Sequence, residues 1–415
     1  MKFIRPSRVD GKVAAPPSKS MMLRATAAAV LSREETLIRN PSLCVDARAG
    51  LQIAEALGAS LERSIGAIRI QGGGPLKDKT LRCRESGLCL RMFVPIAALF
   101  DHPLILEGEG SLLKRPMAMV EAPLRQLGAS CKTRRGFPPV RVKGPLGGGR
   151  ITLDGSLSSQ FLTGLLMALP FCPGDSEIRT TDLKSRGYAV MTLGFLKSFG
   201  LTISADDNLE NIVIPGRQLL QKIDYTVEGD WSGAAFLLVA GALCGRVEVT
   251  GLQLQSLQPD KRIIDALELA GATITIGDEW IRCEQNNLRG FDFDATDCPD
   301  LIPPLAALGC HCSGRTRIFG IARLKYKESD RAGVLQHELS RAGVRLEVRK
   351  DCLEIWESSL GAAVVDARGD HRIAMAEAVA ALRSDKGLKI KGWECVAKSY
   401  PRFFEDLESS GGKVG

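Results

Sequence analysis

The chain has 415 residues, long enough for two or three domains, and its 45% hydrophobic and 25% charged residues are typical of a globular rather than a disordered or fibrous protein. A formal net charge of +7 suits anionic ligands but is too small to indicate a nucleic-acid-binding protein, and 5% aromatic residues offer little surface for base stacking. The sequence has neither an apolar stretch long enough to predict a membrane span nor the apolar run of a signal peptide, so we expect a cytoplasmic protein with no membrane partner.

The chain contains an internal repeat of about seventy residues, marked by a glycine that ends an amphipathic helix and recurs every 68 to 72 positions. Glycine is favoured after the last turn of a helix because it adopts a left-handed backbone at no steric cost. The glycines are Gly58, Gly128, Gly200, Gly271, Gly343 and Gly411. Six such positions in register indicate six copies of one structural unit.

Each copy also has a second helix that is apolar almost all round, together with segments that alternate as strands. In chain order these helices are ATAAAVL, FVPIAALF, FLTGLLMALP, AAFLLVAGAL, PPLAALG and AMAEAVAAL. A helix of this kind must be buried, so one unit alone is not stable. The pattern predicts an α/β (α+β) protein with three units in each half of the chain.

We place the crossings between the halves near residues 16 and 226. This gives one domain of residues 17–225 and a discontinuous domain of residues 1–16 and 226–415. The sixth copy is truncated, and we expect the first 16 residues to supply its missing strand.

The six apolar helices begin in polar segments, which read PPSKS, ESGLCLR, GSLSSQ, EGDWSG, DCPD and RGDHR. Serine and aspartate are good helix caps, but capping does not explain the cations. Lys19, Arg91 and Arg372 lie in or just past first turns, where each opposes the helix dipole by about 0.3–1 kcal/mol. A bound anion reverses that sign because amides and cations both attract it. The pattern therefore predicts an anion-binding cleft lined by helix starts.

The twelve cysteines are scattered, and none forms a CxxC pair. Cys310 and Cys312 flank His311, but no second pair of ligands accompanies them. We therefore expect reduced thiols and no metal site.

Five motifs resemble those of the 5-enolpyruvylshikimate-3-phosphate synthase family, and the resemblance covers essentially the whole chain. They are PSKSxxxR near the N-terminus, SSQF, KESDR near residue 330, GDHR and AKSYPxFF. The resemblance implies six βαβαββ units in two globular domains, joined by a two-stranded hinge with the active site in the cleft between them. It also implies a monomer that uses no metal and no cofactor.

The reaction that the resemblance implies is transfer of the enolpyruvyl (1-carboxyvinyl) group from phosphoenolpyruvate to the 5-hydroxyl of shikimate 3-phosphate. Phosphate is released by addition and elimination through a tetrahedral ketal, in the biosynthesis of chorismate and aromatic amino acids. The phosphoenolpyruvate ligands implied by the matching motifs are Lys19, Gly87, Arg91, Arg115, Gln160, Arg331, Arg372 and Lys398. Those implied for shikimate 3-phosphate are Lys19, Ser20, Arg24, Ser158, Ser159, Gln160, Ser185, Tyr188, Asp300 and Lys327.

Addition to the double bond needs a proton delivered to the methylene carbon and another removed from the hydroxyl. We assign the methylene proton to Glu328 and the hydroxyl proton to Asp300 with Lys19, because these carboxylates lie within the ligand motifs. His371, at a helix start, is a secondary candidate. The planar guanidinium groups of arginines suit a substrate carboxylate.

One motif departs from the family pattern. ESGLCLR carries Glu85, Ser86 and Leu88 where the family's N-A-G-T-x-x-R has asparagine, alanine and threonine. A carboxylate at this position repels a phosphate unless Glu85 points away.

Two alternative functions remain open from the sequence. UDP-N-acetylglucosamine 1-carboxyvinyltransferases have Lys-Asn at the first helix and a cysteine in a mobile loop, whereas this chain has Lys19-Ser20 and SLLKRPM. A non-catalytic anion- or RNA-binding repeat protein would show strongly salt-dependent binding and no phosphate release. The small net charge argues against nucleic acid as a partner.

Overall fold

Apolar helices organise both halves of the chain. In the computed structural model, which describes residues 1–415, packing divides the chain into an N-terminal unit, Pro17–Val227, and a C-terminal unit made of Met1–Pro16 and Glu228–Gly415. The chain therefore crosses between units at residues 16–17 and 227–228. No helix has both the length and the apolar character needed to cross a bilayer.

Twelve α-helices alternate between a buried and an amphipathic type. They are α1 (Lys19–Leu31), α2 (Val45–Ala56), α3 (Gly87–Ala97), α4 (Glu121–Gln126), α5 (Gln160–Ala168), α6 (Arg186–Ser198), α7 (Trp231–Cys244), α8 (Ile263–Ala270), α9 (Ile302–Gly309), α10 (Arg331–Arg341), α11 (His371–Ala381) and α12 (Phe403–Ser409). The odd-numbered helices are the apolar ones, and in α7 every residue is buried. The six repeat glycines follow the even-numbered helices and all have φ between +86° and +105°, as the spacing predicted.

Twenty-four strands connect these helices. In the N-terminal half they are β1 (Lys2–Arg5), β2 (Val9–Ala14), β3 (Thr36–Arg39), β4 (Ser60–Ser64), β5 (Ala67–Gln71), β6 (Thr80–Arg82), β7 (Leu104–Glu107), β8 (Ser130–Arg134), β9 (Phe137–Lys143), β10 (Gly149–Asp154), β11 (Ser176–Thr181), β12 (Ser204–Ala205), β13 (Asn211–Ile214) and β14 (Asp224–Thr226). In the C-terminal half they are β15 (Gly245–Thr250), β16 (Thr273–Ile276), β17 (Trp280–Glu284), β18 (Asp292–Asp294), β19 (Arg315–Phe319), β20 (Leu346–Arg349), β21 (Cys352–Trp356), β22 (Ala363–Asp366), β23 (Leu388–Lys391) and β24 (Lys413–Val414).

The strands form six four-stranded sheets with one common topology. The strand orders are β14-β3-β5-β4, β6-β7-β9-β8, β10-β11-β13-β12, β2-β15-β17-β16, β18-β19-β21-β20 and β22-β23-β1-β24. In each sheet the first strand pairs in parallel with the second, and the remaining pairs are antiparallel. This regularity confirms the predicted α/β architecture of six units.

The N-terminal strands serve two different sheets. Strand β1 pairs with β23 and β24 and completes the sixth sheet, as expected. Strand β2 instead pairs in parallel with β15 and forms the edge of the fourth sheet. The first 16 residues therefore supply the missing strand of the sixth sheet and also an edge strand of the fourth. The strands that precede α1 and α7 are exchanged, since β2 joins the fourth sheet and β14 joins the first.

Helix α11 contains an acidic residue, Glu377, that is fully buried and whose carboxyl oxygens have no hydrogen-bond partner. Burial raises the pKa of Glu377 well above its ordinary value, and the nearby carboxylates of Glu338 and Asp366 raise it further. A carboxyl group with a raised pKa in the folded state costs stability once the pH exceeds its unfolded value of 4.5.

We expect Glu377→Gln to remove this cost. The gain in unfolding free energy should be absent well below pH 4.5, where the carboxyl is protonated in both states, and should grow above pH 4.5 by up to about 1.4 kcal/mol per pH unit. Urea unfolding across this pH range measures the effect, with the exposed Glu405→Gln as a matched control. A difference that does not change with pH would contradict the prediction.

Candidate active site

The buried helices of the N-terminal unit all begin at a serine. Ser18, Ser86 and Ser159 occupy the capping positions of α1, α3 and α5. The hydroxyl of Ser86, for example, accepts a hydrogen bond from the amide of Cys89 at 3.3 Å. A neutral cap leaves the partial positive charge of the helix start uncompensated, so these starts favour anions.

Lys19 is the first residue of α1, and its ammonium group lies 3.1 Å from a carboxylate oxygen of Asp46 in α2. The two side chains are only 13% and 8% exposed. Asp46 therefore offsets part of the cost of a cation at a helix start and fixes the direction of the ammonium group. Asp46 belongs to none of the sequence motifs, since nothing in the local sequence links it to Lys19.

Arg24 joins α1 to α6 from a fully buried position. Its guanidinium donates hydrogen bonds to the carbonyl oxygens of Ser20 and Tyr188, at 2.9 and 3.0 Å, and to the hydroxyl of Thr192 at 2.9 Å. Burial lowers the pKa of Arg24 to about 10, which leaves it charged at neutral pH. The structure thus brings Ser20, Arg24 and Tyr188 together.

The serines assigned to a phosphate group lie on two adjacent loops. The amide of Lys184 donates to the carbonyl of Gly155 at 3.3 Å, which joins the loop before α5 to the loop before α6. Ser158 and Ser159 end the first loop, and Ser185 ends the second. Ser185 has the left-handed conformation (φ 55°, ψ 41°), which costs a non-glycine residue about 1 kcal/mol or more and is concentrated at functional sites.

Two buried arginines meet at the start of α3. A guanidinium nitrogen of Arg91 donates to the side-chain oxygen of Gln160 at 2.9 Å. Arg91 and Arg115 are only 5% and 4% exposed. A Cβ atom on Gly87 would lie 2.5 Å from a guanidinium nitrogen of Arg115, so the arginine packs against the bare glycine backbone. This arrangement suits a phosphate group.

Glu85, which stands where the family motif has asparagine, directs its carboxylate toward Ser111. Its carboxylate accepts hydrogen bonds from the amide and the hydroxyl of Ser111, both at 2.9 Å. Ser86 caps α3, and Leu88 is buried. Glu85 is therefore engaged with the segment that follows β7.

The buried helices of the C-terminal unit begin beside aspartates. Asp230 and Asp370 cap α7 and α11, and Asp300 lies in the short turn just before α9. A carboxylate at a helix start neutralises the dipole and also provides a partner for a cation. The two units thus differ in the charge of their helix caps.

Arg331, the first residue of α10, connects three carboxylates from a position that is 1% exposed. Its guanidinium donates to Asp370 and to Asp300 at 2.8 Å and to Glu328 at 2.5 Å. Burial alone would lower the pKa of Arg331, but the three carboxylates raise it above its ordinary value. Arg331 therefore remains charged and orients all three acidic groups.

Asp300 is shared between three cations, namely Arg331, Arg372 at 2.9 Å and Lys327 at 3.6 Å. Burial alone would raise the pKa of Asp300, but these cations outweigh it and hold that pKa well below its ordinary value. Burial lowers the pKa of Lys327, and Asp300 offsets only part of that effect. At neutral pH Asp300 is therefore a carboxylate.

Lys398 and His371 lie beside this cluster. The ammonium group of Lys398 donates to the carbonyl of Gly369 at 2.8 Å, directly before the cap residue Asp370. His371 is the first residue of α11 and is 1% exposed. Both residues are therefore held close to the start of α11.

The residues predicted from sequence divide into two sets, one in each unit. The N-terminal set is Lys19, Ser20, Arg24, Gly87, Arg91, Arg115, Ser158, Ser159, Gln160, Ser185 and Tyr188. The C-terminal set is Asp300, Lys327, Glu328, Arg331, His371, Arg372 and Lys398. Asp370, which organises the second set, was quoted within GDHR but received no role, although an aspartate just before a buried helix was a usable signal.

Two solved structures and one sequence relative resemble this chain over nearly its whole length. EPSP synthase of Acinetobacter baumannii superposes with a TM-score of 0.84 at 26% identity, covering 100% of this chain and 99% of that one. The enolpyruvyl transferase NikO of Streptomyces tendae has a TM-score of 0.81 at 18% identity, with 100% and 98% coverage, and shows a shared fold. The 3-phosphoshikimate 1-carboxyvinyltransferase of Clostridium novyi is 37% identical over 99% of this chain and 97% of its own length.

Two further comparisons cover nearly the whole chain. The corresponding enzyme of Methanoculleus marisnigri is 39% identical over 97% of both chains. The sequence profile of EPSP synthase, or 3-phosphoshikimate 1-carboxyvinyltransferase, matches residues 4–407. Together with the six-unit fold, these similarities establish that the chain belongs to the EPSP synthase family.

Proposed function

We propose that the protein transfers the enolpyruvyl group of phosphoenolpyruvate to the 5-hydroxyl of shikimate 3-phosphate and releases phosphate. The observation that carries this proposal is the cluster around Arg331, where Asp300 and Glu328 lie beside three cations. Such a cluster holds both groups that the reaction requires, namely carboxyl groups that exchange protons and guanidinium groups that bind a carboxylate.

The N-terminal set is proposed to bind the phosphate groups. Arg91 and Arg115 would hold the phosphate of phosphoenolpyruvate beside Gly87, where the absent side chain leaves room for the guanidinium of Arg115. The serine loops before α5 and α6 would bind the phosphate of shikimate 3-phosphate. Arg24 fixes Ser20 and Tyr188 for contacts with the same substrate.

The C-terminal set is proposed to act on the same two substrates. Arg331 and Arg372 would bind the carboxylate of phosphoenolpyruvate, assisted by Lys398, and Lys327 with Asp300 would bind hydroxyl groups of shikimate 3-phosphate. Because Arg331 and Arg372 already share Asp300, the substrate carboxylate enters a charge-balanced cluster rather than an isolated positive one.

Addition forms a bond between the 5-hydroxyl oxygen and C2 of phosphoenolpyruvate. The hydroxyl proton passes to Asp300, a transfer that Lys19 is proposed to assist, and protonated Glu328 delivers a proton to the methylene carbon. In the elimination step the bond from C2 to the phosphate oxygen breaks, a methyl proton returns to Glu328, and phosphate leaves with the proton held by Asp300. His371 is proposed to support these transfers.

Phosphate release tests the proposal. The protein should release phosphate when both substrates are present and none with either substrate alone. Release with UDP-N-acetylglucosamine in place of shikimate 3-phosphate would favour the alternative transferase, and tight RNA binding without any release would favour a non-catalytic protein.

We further propose a cytoplasmic monomer, which sedimentation equilibrium would measure as a single 44.8 kDa species.

A further inference from the structure

We propose that Glu85 is a positioning residue that holds Arg115 in place for the phosphate of phosphoenolpyruvate. This role rests on the proposed function, since it assigns Arg115 to that phosphate. Glu85 would act on the arginine through the backbone of the segment Gly110–Lys114 and would not touch the substrate.

Glu85 is in direct contact with that segment. One carboxylate oxygen of Glu85 accepts two hydrogen bonds from Ser111, from the amide and from the hydroxyl, each at 2.9 Å. Gly110–Lys114 forms a single 3-10 turn, and Arg115 is the next residue. Hydrogen bonds to a charged acceptor are about twice as strong as neutral ones, so the carboxylate fixes the turn from which Arg115 extends.

The glycine before Ser111 fits closely against Glu85. Gly110 has φ +51°, and a Cβ atom there would lie 2.6 Å from the carboxyl carbon of Glu85. Two backbone hydrogen bonds join the segment before Glu85 to the segment before Gly110. The amide of Cys83 donates to the carbonyl of Glu107 and the amide of Glu109 donates to the carbonyl of Arg84, both at 2.8 Å. The carboxylate of Glu85 thus lies at the end of these two paired segments and packs against the backbone of Gly110.

Arg115 is held at both its backbone and its guanidinium group. The amide of Arg115 donates to the carbonyl of Leu112 at 3.1 Å, and its guanidinium packs against Gly87. Glu85 and Gly87 are two residues apart in the chain, yet one fixes the backbone that leads to Arg115 and the other fixes the position of its side chain. A pre-positioned arginine loses less conformational entropy when it binds a ligand.

We expect Glu85→Ala to lower kcat/KM for phosphoenolpyruvate by about tenfold or more, because a charge-assisted hydrogen bond is lost. The KM for shikimate 3-phosphate should not change. Glu85→Gln keeps a carbonyl acceptor for Ser111 and should recover most of the activity, and Ser111→Ala should show a smaller loss. The exposed Glu107→Gln is a matched control on the neighbouring strand and should behave as the unmodified protein does.

A double-mutant cycle with Arg115→Ala separates positioning from a general structural effect. If Glu85 acts through Arg115, Glu85→Ala should cause almost no further loss of kcat/KM for phosphoenolpyruvate in a protein that already carries Arg115→Ala. The role of Glu85 would be overturned if the fold-losses of kcat/KM in the two single variants multiplied in the double variant, or if KM rose equally for both substrates. Either result would leave the proposed function intact. Absence of phosphate release from the unmodified protein would instead contradict the proposed function and this role with it.

Discussion

Replacement of Arg331 by methionine is expected to lower kcat/KM for phosphoenolpyruvate by about 100- to 1,000-fold and the free energy of unfolding by about 3–5 kcal/mol. The arginine is 1% exposed and bonds Asp300, Glu328 and Asp370 at once. Its removal leaves three carboxylates with one fewer cation between them, in surroundings that screen charge poorly.

Steady-state kinetics and urea unfolding together measure both effects of Arg331→Met. Arg317→Met is the matched control, because Arg317 pairs with Asp292 on the surface and such a pair is worth about 1 kcal/mol or less. Retention of activity by Arg331→Met, or a stability loss no larger than that of the control, would show that the cluster does not have the role assigned to it.

Asp300→Asn is expected to lower kcat by about 100- to 10,000-fold, since an amide of the same shape is unable to accept the proton of the 5-hydroxyl. The low pKa of Asp300 keeps it ionised through the neutral range, so an acidic limb in the pH profile of the unmodified protein should come from another group. The stabilisation that Asp300 provides is complete above its unfolded pKa and is lost as the pH falls through its lower folded value.

Measurement of kcat and of unfolding at neutral and acidic pH tests both parts of this prediction. The stability difference between the unmodified protein and Asp300→Asn should shrink as the pH is lowered. Asp292→Asn, on the surface, is the control and should keep normal activity. Activity of Asp300→Asn within about twofold of the unmodified protein would refute the assignment of Asp300 as proton acceptor.

The six-unit architecture was predictable because its signal is local. A glycine after a helix needs φ > 0 whatever surrounds it, and all six repeat glycines have that conformation. The pairing of β2 with β15 was not predictable in this way. Residues Val9–Ala14 pair with residues more than two hundred positions away, and alternation along a strand does not reveal its partner.

For the candidate site, the motifs indicated single residues at helix starts but not the distant residues that those side chains contact. Lys19 stood out because a cation opposes the helix dipole, yet part of the compensation comes from Asp46, 27 residues away. The direction of Glu85 depends on a hydrogen bond to Ser111, which the sequence alone does not specify. Side-chain direction across separate elements was therefore the main information missing.

The caps of the buried helices are consistent with the different roles proposed for the two sets. Neutral serine caps keep the helix starts of the N-terminal unit positive, which favours phosphate dianions. Aspartates at the starts of the C-terminal helices balance Arg331 and Arg372 and supply groups that exchange protons. Each charge arrangement matches the role proposed for its set.

A single-turnover experiment with phosphoenolpyruvate labelled at C2, followed by carbon and phosphorus NMR, tests the central claim most directly. Addition and elimination predict a transient species whose labelled carbon is bonded to both the shikimate oxygen and the phosphate oxygen, and which decays as phosphate and the enol ether appear together. Formation of labelled pyruvate and phosphate with shikimate 3-phosphate left unchanged would contradict it.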